Sequence, residues 1–243
     1  MNDTIILFDI DGTLTEPRCK IEEKMIKFLN CLKRKFKIGC VGGSNFEKAK
    51  EQVGYNILEI FDYSFFENGL NAYKNNILIE KQNLFNYIGN DKINKFVNFV
   101  LKYISELNIP VKTGTFIEFR NGMINISPIG RNCSQEQRNE FEKYDNIYKI
   151  RNTMIDILEK EFKDYNFKYS IGGQISFDVF PIGWDKTFCL KFLNDFKYIY
   201  FIGDKTEIGG NDYEIYDSER TISFKTKGVD DTIRILKIEL NNF

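Results

Sequence analysis

Apolar runs of strand length alternate with helix-period segments at both ends of this 243-residue chain, and the rhythm breaks in the middle. Ile5 to Phe8 reads as a buried strand. Glu22 to Arg34 reads as a helix, with Met25, Ile26, Leu29 and Leu32 at helical spacing. Phe36 to Val41 predicts a second strand, Phe46 to about Val53 a helix, and Phe61 to Phe65 a third strand. Strands alternating with helices specify parallel α/β architecture. The pattern changes after about residue 82. Asp91 to Glu106 predicts a helix whose apolar side carries Ile93, Phe96, Val97, Val100, Leu101 and Ile104. Thr115 to Arg120 alternates, turns at Asn121-Gly122 and resumes from Met123 to Ser127, which is a strong hairpin signature. Helices are expected from about Gln135 and from about Asn146 to Phe162, then strands over Phe167 to Ile171 and Ile175 to Phe180. From Trp184 the first rhythm returns. A helix runs from about Lys186 to Leu193, strands cover Tyr198 to Ile202 and Thr221 to Phe224, and a last helix spans Asp230 to Leu240. The chain therefore reads as an α/β core, residues 1–82 and 185–243, interrupted by an α+β domain over 83–184 with hinges near 79–83 and 181–185.

Composition removes several function classes. A net charge of -1 argues against a nucleic-acid binder driven by bulk electrostatics. No apolar run is long enough to span a bilayer. The polar start Met1-Asn2-Asp3-Thr4 leads directly into a strand, which predicts no secretory leader. Five scattered cysteines without a Cys-x-x-Cys pair fit reduced thiols in a cytoplasmic protein. The chain has no histidine, so acid–base chemistry must use carboxylates, lysine, tyrosine or cysteine, and a bound metal would be hard and oxygen-liganded.

Asp9 and Asp11 follow the first strand, and a period of two points them the same way. Asp204 ends another strand, and ligands bind at that edge of a parallel sheet. Three acidic groups converging there require a cation, and Mg2+ suits carboxylate and carbonyl oxygens completed by water and phosphate. Gly42-Gly43-Ser44 also follows a strand and opens a helix, where backbone N–H groups and a hydroxyl can hold a phosphate. Ser44 and Glu47 equally spell a helix-capping box, and both uses are compatible. Lys186, at the return to the core, is placed to balance the carboxylate charge.

The chain has 26 lysines and eight arginines, yet Arg120, Arg131 and Arg138 fall within nineteen residues of the insert. A guanidinium grips phosphate in a bidentate way that an ammonium does not. The alternative is surface pairing with Glu118, Glu136 or Glu140. Ser176 and Asp178 share one face of a strand whose other face carries Ile175, Phe177 and Val179.

Asp9-Ile10-Asp11-Gly12-Thr13 after an apolar strand, Ser44, Lys186 and Gly203-Asp204 followed by Gly209-Gly210-Asn211-Asp212 resemble, in that order, the haloacid dehalogenase superfamily of phosphotransferases. Over nearly the whole chain the resemblance narrows to eukaryotic-type phosphomannomutase. Phe8 to Thr15 with Arg18, Val41 to Ser44, Glu67-Asn68-Gly69, Gly114 to Met123, Ser127 to Arg131, Gly172 to Pro181 and Gly203 to Thr206 carry it. It implies a haloacid dehalogenase-type, Rossmann-like core with an inserted α+β cap. It also implies interconversion of mannose 6-phosphate and mannose 1-phosphate for GDP-mannose synthesis. Mg2+, a hexose 1,6-bisphosphate activator and a homodimer formed through the caps belong to the same expectation. By matching position, Asp9 would be the nucleophile and Asp11 the acid/base, with Ser44 and Lys186 completing the catalytic group. Asp9, the backbone carbonyl of Asp11, and Asp204 would hold Mg2+. Arg18, Arg120, Arg131, Arg138, Ser176 and Asp178 would bind the substrate. A second cation segment would use Tyr216 and Thr221, but where the family has Asp-Pro this chain reads Ser218-Glu219, with Asp217 adjacent. A sugar phosphatase on the same fold is the alternative, and the arginine cluster favours the mutase.

Overall fold

The computed structural model describes residues 3–17 and 19–239. The chain divides into two compact units, residues 1–81 with 183–243, and residues 82–182.

The first unit begins with β1 (Thr4–Phe8), α1 (Glu23–Lys33), β2 (Lys37–Val41), α2 (Phe46–Val53), the short α3 (Ile57–Ile60) and β3 (Tyr63–Phe66). Two further strands follow, β4 (Asn71–Lys74) and β5 (Ile77–Lys81). The second unit contains α4 (Leu84–Ile88), α5 (Asn90–Glu106), β6 (Ile117–Phe119), β7 (Ile124–Ile126), α6 (Gln135–Tyr148), α7 (Ile150–Glu161), β8 (Phe167–Gly172) and β9 (Ser176–Pro181). The first unit then resumes with a 3₁₀ segment (Lys186–Phe192), β10 (Tyr198–Gly203), α8 (Tyr213–Tyr216), β11 (Ile222–Lys225) and α9 (Val229–Glu239).

The core sheet has seven strands in the order β11-β10-β1-β2-β3-β4-β5. β1 lies between β10 and β2, parallel to both. Its side chains are buried on both faces, as a parallel sheet covered on both sides requires. Ile6 and Phe8 join one apolar cluster with Met25, Leu29 and Leu236, and Ile5 and Leu7 join another with Cys189, Leu193 and Ile215. Each such fully buried side chain contributes about 1.5–3 kcal/mol relative to exposure. This packing fixes the carboxyl end of β1, where Asp9 follows.

The second unit pairs its strands in the order β6-β7-β9-β8, all antiparallel. Ile124, Phe177 and Val179 are fully buried on one face of that sheet. On α5, Ile93, Phe96, Val100 and Ile104 are buried, and Phe96 meets Phe162 and Phe167 edge-on at ring-centroid distances of 4.9 and 5.3 Å. The Asn121-Gly122 hairpin closes through the Arg120 N–H on the Met123 carbonyl at 2.9 Å.

Several expectations are corrected. The core sheet is mixed, because β3, β4 and β5 pair antiparallel. The helix from Gln135 runs on to Tyr148, and the next begins at Ile150 rather than Asn146, because Lys149 adopts φ 53° and breaks the run. Residues 186–192 wind as 3₁₀ rather than α-helix. Leu101 lies off the buried stripe, at 45% exposure. The end of the last expected helix, Leu240, lies outside the described residues. All five cysteines are free, and among the described residues no helix is long and apolar enough to cross a membrane.

Candidate active site

Asp9 continues the sheet ladder past the end of β1, its N–H donating to the Ile202 carbonyl at 2.9 Å. The chain then turns sharply: the Gly12 N–H reaches the Thr15 carbonyl at 2.8 Å, and the Leu14 N–H reaches the Ile10 carbonyl at 3.0 Å. Gly12 has φ +78°, and a β-carbon there would sit 2.4 Å from Asp204 Oδ2. Only glycine fits both the left-handed backbone and the approach of that carboxylate. Gly12→Ala is therefore expected to displace Asp204, lower turnover by about tenfold or more, and raise the Mg2+ concentration needed for half-maximal rate. Unchanged Mg2+ dependence in a folded variant would contradict this.

Asp9 is 3% exposed and Lys186 is 1% exposed. The Lys186 ammonium donates to the carboxylates of both Asp9 and Asp212. Asp212 is fully buried, and its other oxygen accepts the Lys205 N–H at 3.0 Å. Burial pushes Asp9 up to about 7; the Lys186 charge opposes that rise and the Asp212 charge adds to it. Burial pulls Lys186 down, but the two carboxylates outweigh it and hold the ammonium above its usual range. Positive charge near Asp9 works against the burial and favours the ionised carboxylate.

Asp204 is the next acidic neighbour. Carboxylate oxygens of Asp9, Asp204 and Asp212 lie within 4.8 Å of one another. Burial, then the Asp212 charge, raises Asp204, and its Oδ1 is buried with no hydrogen-bond partner. An unsatisfied buried carboxylate oxygen in a cluster of three acids fits a hard divalent cation such as Mg2+.

Asp11 stands outside that cluster. Its Oδ1 accepts from Gln52 Nε2 at 2.7 Å, so the third carboxylate of the cluster is Asp212 rather than Asp11. A pocket of about 110 Å³ is lined by Asp9, Asp11, Gly42, Gly43, Ser44 and Gln52, with Lys205 and Asn211. Ser44 lines it without capping α2. The cap is Asn45, whose side chain accepts the Lys48 N–H at 3.0 Å. The capping-box use of Ser44 and Glu47 is thus set aside.

In the second unit one network joins the candidate substrate residues. Glu118 pairs with both Arg120 and Arg131, so the surface-pairing alternative is realised for these two. Arg131 also donates to the Asn125 side-chain carbonyl, and Arg138 donates to the Arg131 backbone carbonyl at 3.1 Å. Asn125 in turn donates to Ser176 Oγ at 3.1 Å and Asp178 Oδ1 at 2.7 Å. Ser176 and Asp178 share a face, as the strand period requires. Arg18 lies outside the described residues. The Thr221 hydroxyl donates to the carbonyls of Ile215 and Ser218 at 2.6 and 3.1 Å, and Tyr216 ends α8.

Sequence reasoning missed Asp212, Gln52 and Asn125. Each is a polar side chain buried to at least nine-tenths. Asp212 had a signal in the Gly-Gly-Asn-Asp run, whereas Gln52 and Asn125 were legible only as polar residues within apolar patterns.

An Asp-x-Asp loop at the end of a central parallel strand, faced by a buried lysine and two further aspartates, is the arrangement of the haloacid dehalogenase-type class. Solved structures share this fold. The trehalose-6-phosphate phosphatase of Aspergillus fumigatus superposes with a TM-score of 0.63 over 100% of this chain and 94% of its own, at 17% identity. The IMP-nucleotidase of Plasmodium falciparum matches with a TM-score of 0.60 over 99% of this chain and 68% of its own, also at 17% identity. The eukaryotic phosphomannomutase family model matches residues 25–242. Phosphomannomutase 2 of Dictyostelium discoideum is 60% identical over 96% of this chain and 95% of its own length. Phosphomannomutase of Dendrobium officinale is 55% identical over 98% and 94%. This chain belongs to the eukaryotic phosphomannomutase family and is an enzyme.

Proposed function

We propose that this enzyme interconverts mannose 6-phosphate and mannose 1-phosphate, supplying GDP-mannose synthesis in the cytoplasm. Residues 83–184 form its substrate-binding cap, and 1–82 with 185–243 its catalytic core. The observation that carries this reading is the hydrogen-bonded network of Arg120, Arg131 and Arg138 with Ser176 and Asp178. It brings guanidinium groups from the β6–β7 turn, the loop after β7 and α6, held by Glu118, Asn125 and the Arg131 carbonyl, together with Ser176 and Asp178 on β9, in a chain otherwise rich in lysine. A mutase must hold a phosphate that arrives at either of two positions on the sugar, and several forks suit that task better than one shaped pocket.

In the first half-reaction phosphorylated Asp9 gives its phosphoryl group to the free hydroxyl of the hexose phosphate. The P–O bond to Asp9 breaks, a P–O bond to the sugar forms, and Asp11 takes the hydroxyl proton. The bisphosphate turns end for end. Asp9 then attacks the other phosphorus, and Asp11 returns the proton to the departing sugar oxygen. A positioned acid/base of this kind is worth about 10²–10⁴-fold. Ser44 and the N–H groups of its loop hold the phosphoryl oxygens, and Lys186 keeps Asp9 ionised. Asp9, the Asp11 carbonyl and Asp204 would hold Mg2+, which supplies positive charge to the phosphoryl oxygens. A secondary cation at Tyr216 and Thr221, Arg18 as a further substrate contact, a hexose 1,6-bisphosphate activator and a homodimer through the cap belong to the same reading.

With Mg2+, mannose 1-phosphate and a trace of hexose 1,6-bisphosphate, 31P NMR is expected to show a growing 6-phosphate resonance with little free phosphate. Free phosphate as the main product would make the enzyme a sugar phosphatase.

A further inference from the structure

Glu67-Asn68-Gly69 fits the family pattern, but the phosphoryl-transfer steps give it no task. It is also the longest run of positive φ in the described backbone. Three consecutive residues have positive φ, at 51°, 63° and 104°. Left-handed backbone is unfavourable for residues carrying a β-carbon, and asparagine is among the few that tolerate it. Such strain persists where the surroundings over-determine it, typically beside a site.

The contacts say what the strain holds. The Glu67 N–H donates to the Ser44 carbonyl and the Asn68 N–H to the Gly42 carbonyl, both at 3.0 Å. In a trans peptide the carbonyl and the following N–H point opposite ways. Drawing the Gly42 and Ser44 carbonyls toward residues 67 and 68 therefore turns the Gly43 and Asn45 N–H groups to the other side. Gly42, Gly43 and Ser44 line the pocket beside Asp9. The Asn68 side chain donates to the Trp184 carbonyl at 3.1 Å, two residues before Lys186. Gly69 packs so closely that a β-carbon would lie 3.1 Å from the Cys189 backbone, within the segment that carries Lys186.

We propose that Asn68, held left-handed, is a positioning residue. It orients the Gly43 and Asn45 N–H groups toward a phosphoryl group and ties the Gly42–Ser44 loop to the chain bearing Lys186. The inference rests on the phosphate-binding part of the proposed function, and its test separates the two.

Inorganic phosphate binding in the presence of Mg2+ is measured by calorimetry for the full-length enzyme, Asn68→Ala and Asn68→Gly, beside thermal melts and phosphoenzyme formation. Ala loses the Trp184 bond and resists the left-handed backbone, whereas Gly loses only the bond. The Kd for phosphate is expected to rise at least about tenfold in Asn68→Ala, with Asn68→Gly recovering about threefold of that loss at an unchanged melting temperature. Binding within twofold of wild type in Asn68→Ala overturns the inference. So does equal loss in both variants, because the backbone conformation would then contribute nothing. So does a wild-type enzyme that binds no phosphate. A wild type that binds phosphate but forms no phosphoenzyme sinks the mutase reading while the inference stands on the binding data.

Discussion

Asp9→Asn is expected to abolish phosphoenzyme formation and lower turnover by at least about 10⁴-fold, the scale on which loss of a catalytic nucleophile is felt. An amide of nearly the same shape cannot attack phosphorus. The fold is expected to survive. Lys186 keeps Asp212 as a partner, and removing one of three clustered carboxylates relieves repulsion. The melting temperature without metal should therefore equal or exceed that of wild type. Acid-quenched protein probed for phosphoaspartate decides the matter, and a wild-type level of phosphoprotein in the variant would remove Asp9 from the mechanism.

Lys186→Met is expected to act in the opposite way, costing stability as well as activity. It retains the length and apolar body of the side chain while leaving Asp9 and Asp212 buried without a cation. Removing one partner of a buried ion pair typically costs about 3–5 kcal/mol. In a protein of this size that corresponds to a fall in melting temperature of about 10 °C. The loss should be largest in EDTA and should shrink on adding Mg2+, because a divalent cation bound to the folded state stabilises it by mass action. A variant that melts with wild type in EDTA would mean that the lysine does not neutralise this cluster.

Much of the frame was legible because each element carried its own local signal. α1 follows from the helical spacing of Met25, Ile26, Leu29 and Leu32, and the hairpin at Asn121-Gly122 follows from its turn residues. The superfamily motif alone is enough to locate Asp9, Lys186 and Asp204 along the chain. What failed was less local. The β4–β5 hairpin turns at Asn75-Asn76, both with positive φ, but its strands are polar or exposed and lack the expected alternation. Lys149 breaks α6 from α7 without glycine or proline to announce it. The choice of Asn45 over Ser44 as cap shifts by one residue, which pattern reasoning does not resolve. Partnerships were the least legible. That Gln52 meets Asp11, or that Asn125 joins Arg131 to Asp178, depends on how separate elements pack, and no spacing along the chain encodes it.

The central strand of the core has a partner almost two hundred residues away, since Thr4 pairs with Tyr198. During synthesis β1 leaves the ribosome early and waits with one edge uncovered. Residues 82–182 are contiguous, have their own core and can fold first. Closing the core sheet requires the late arrival of β10, a long-range pairing of the kind that slows folding. No nascent chain that ends before Asp212 can seat the buried lysine between its two carboxylates. The buried ion cluster is therefore completed only once β10 and Asp212 have been synthesised, and a product truncated before them would expose a bare strand edge that quality control can recognise.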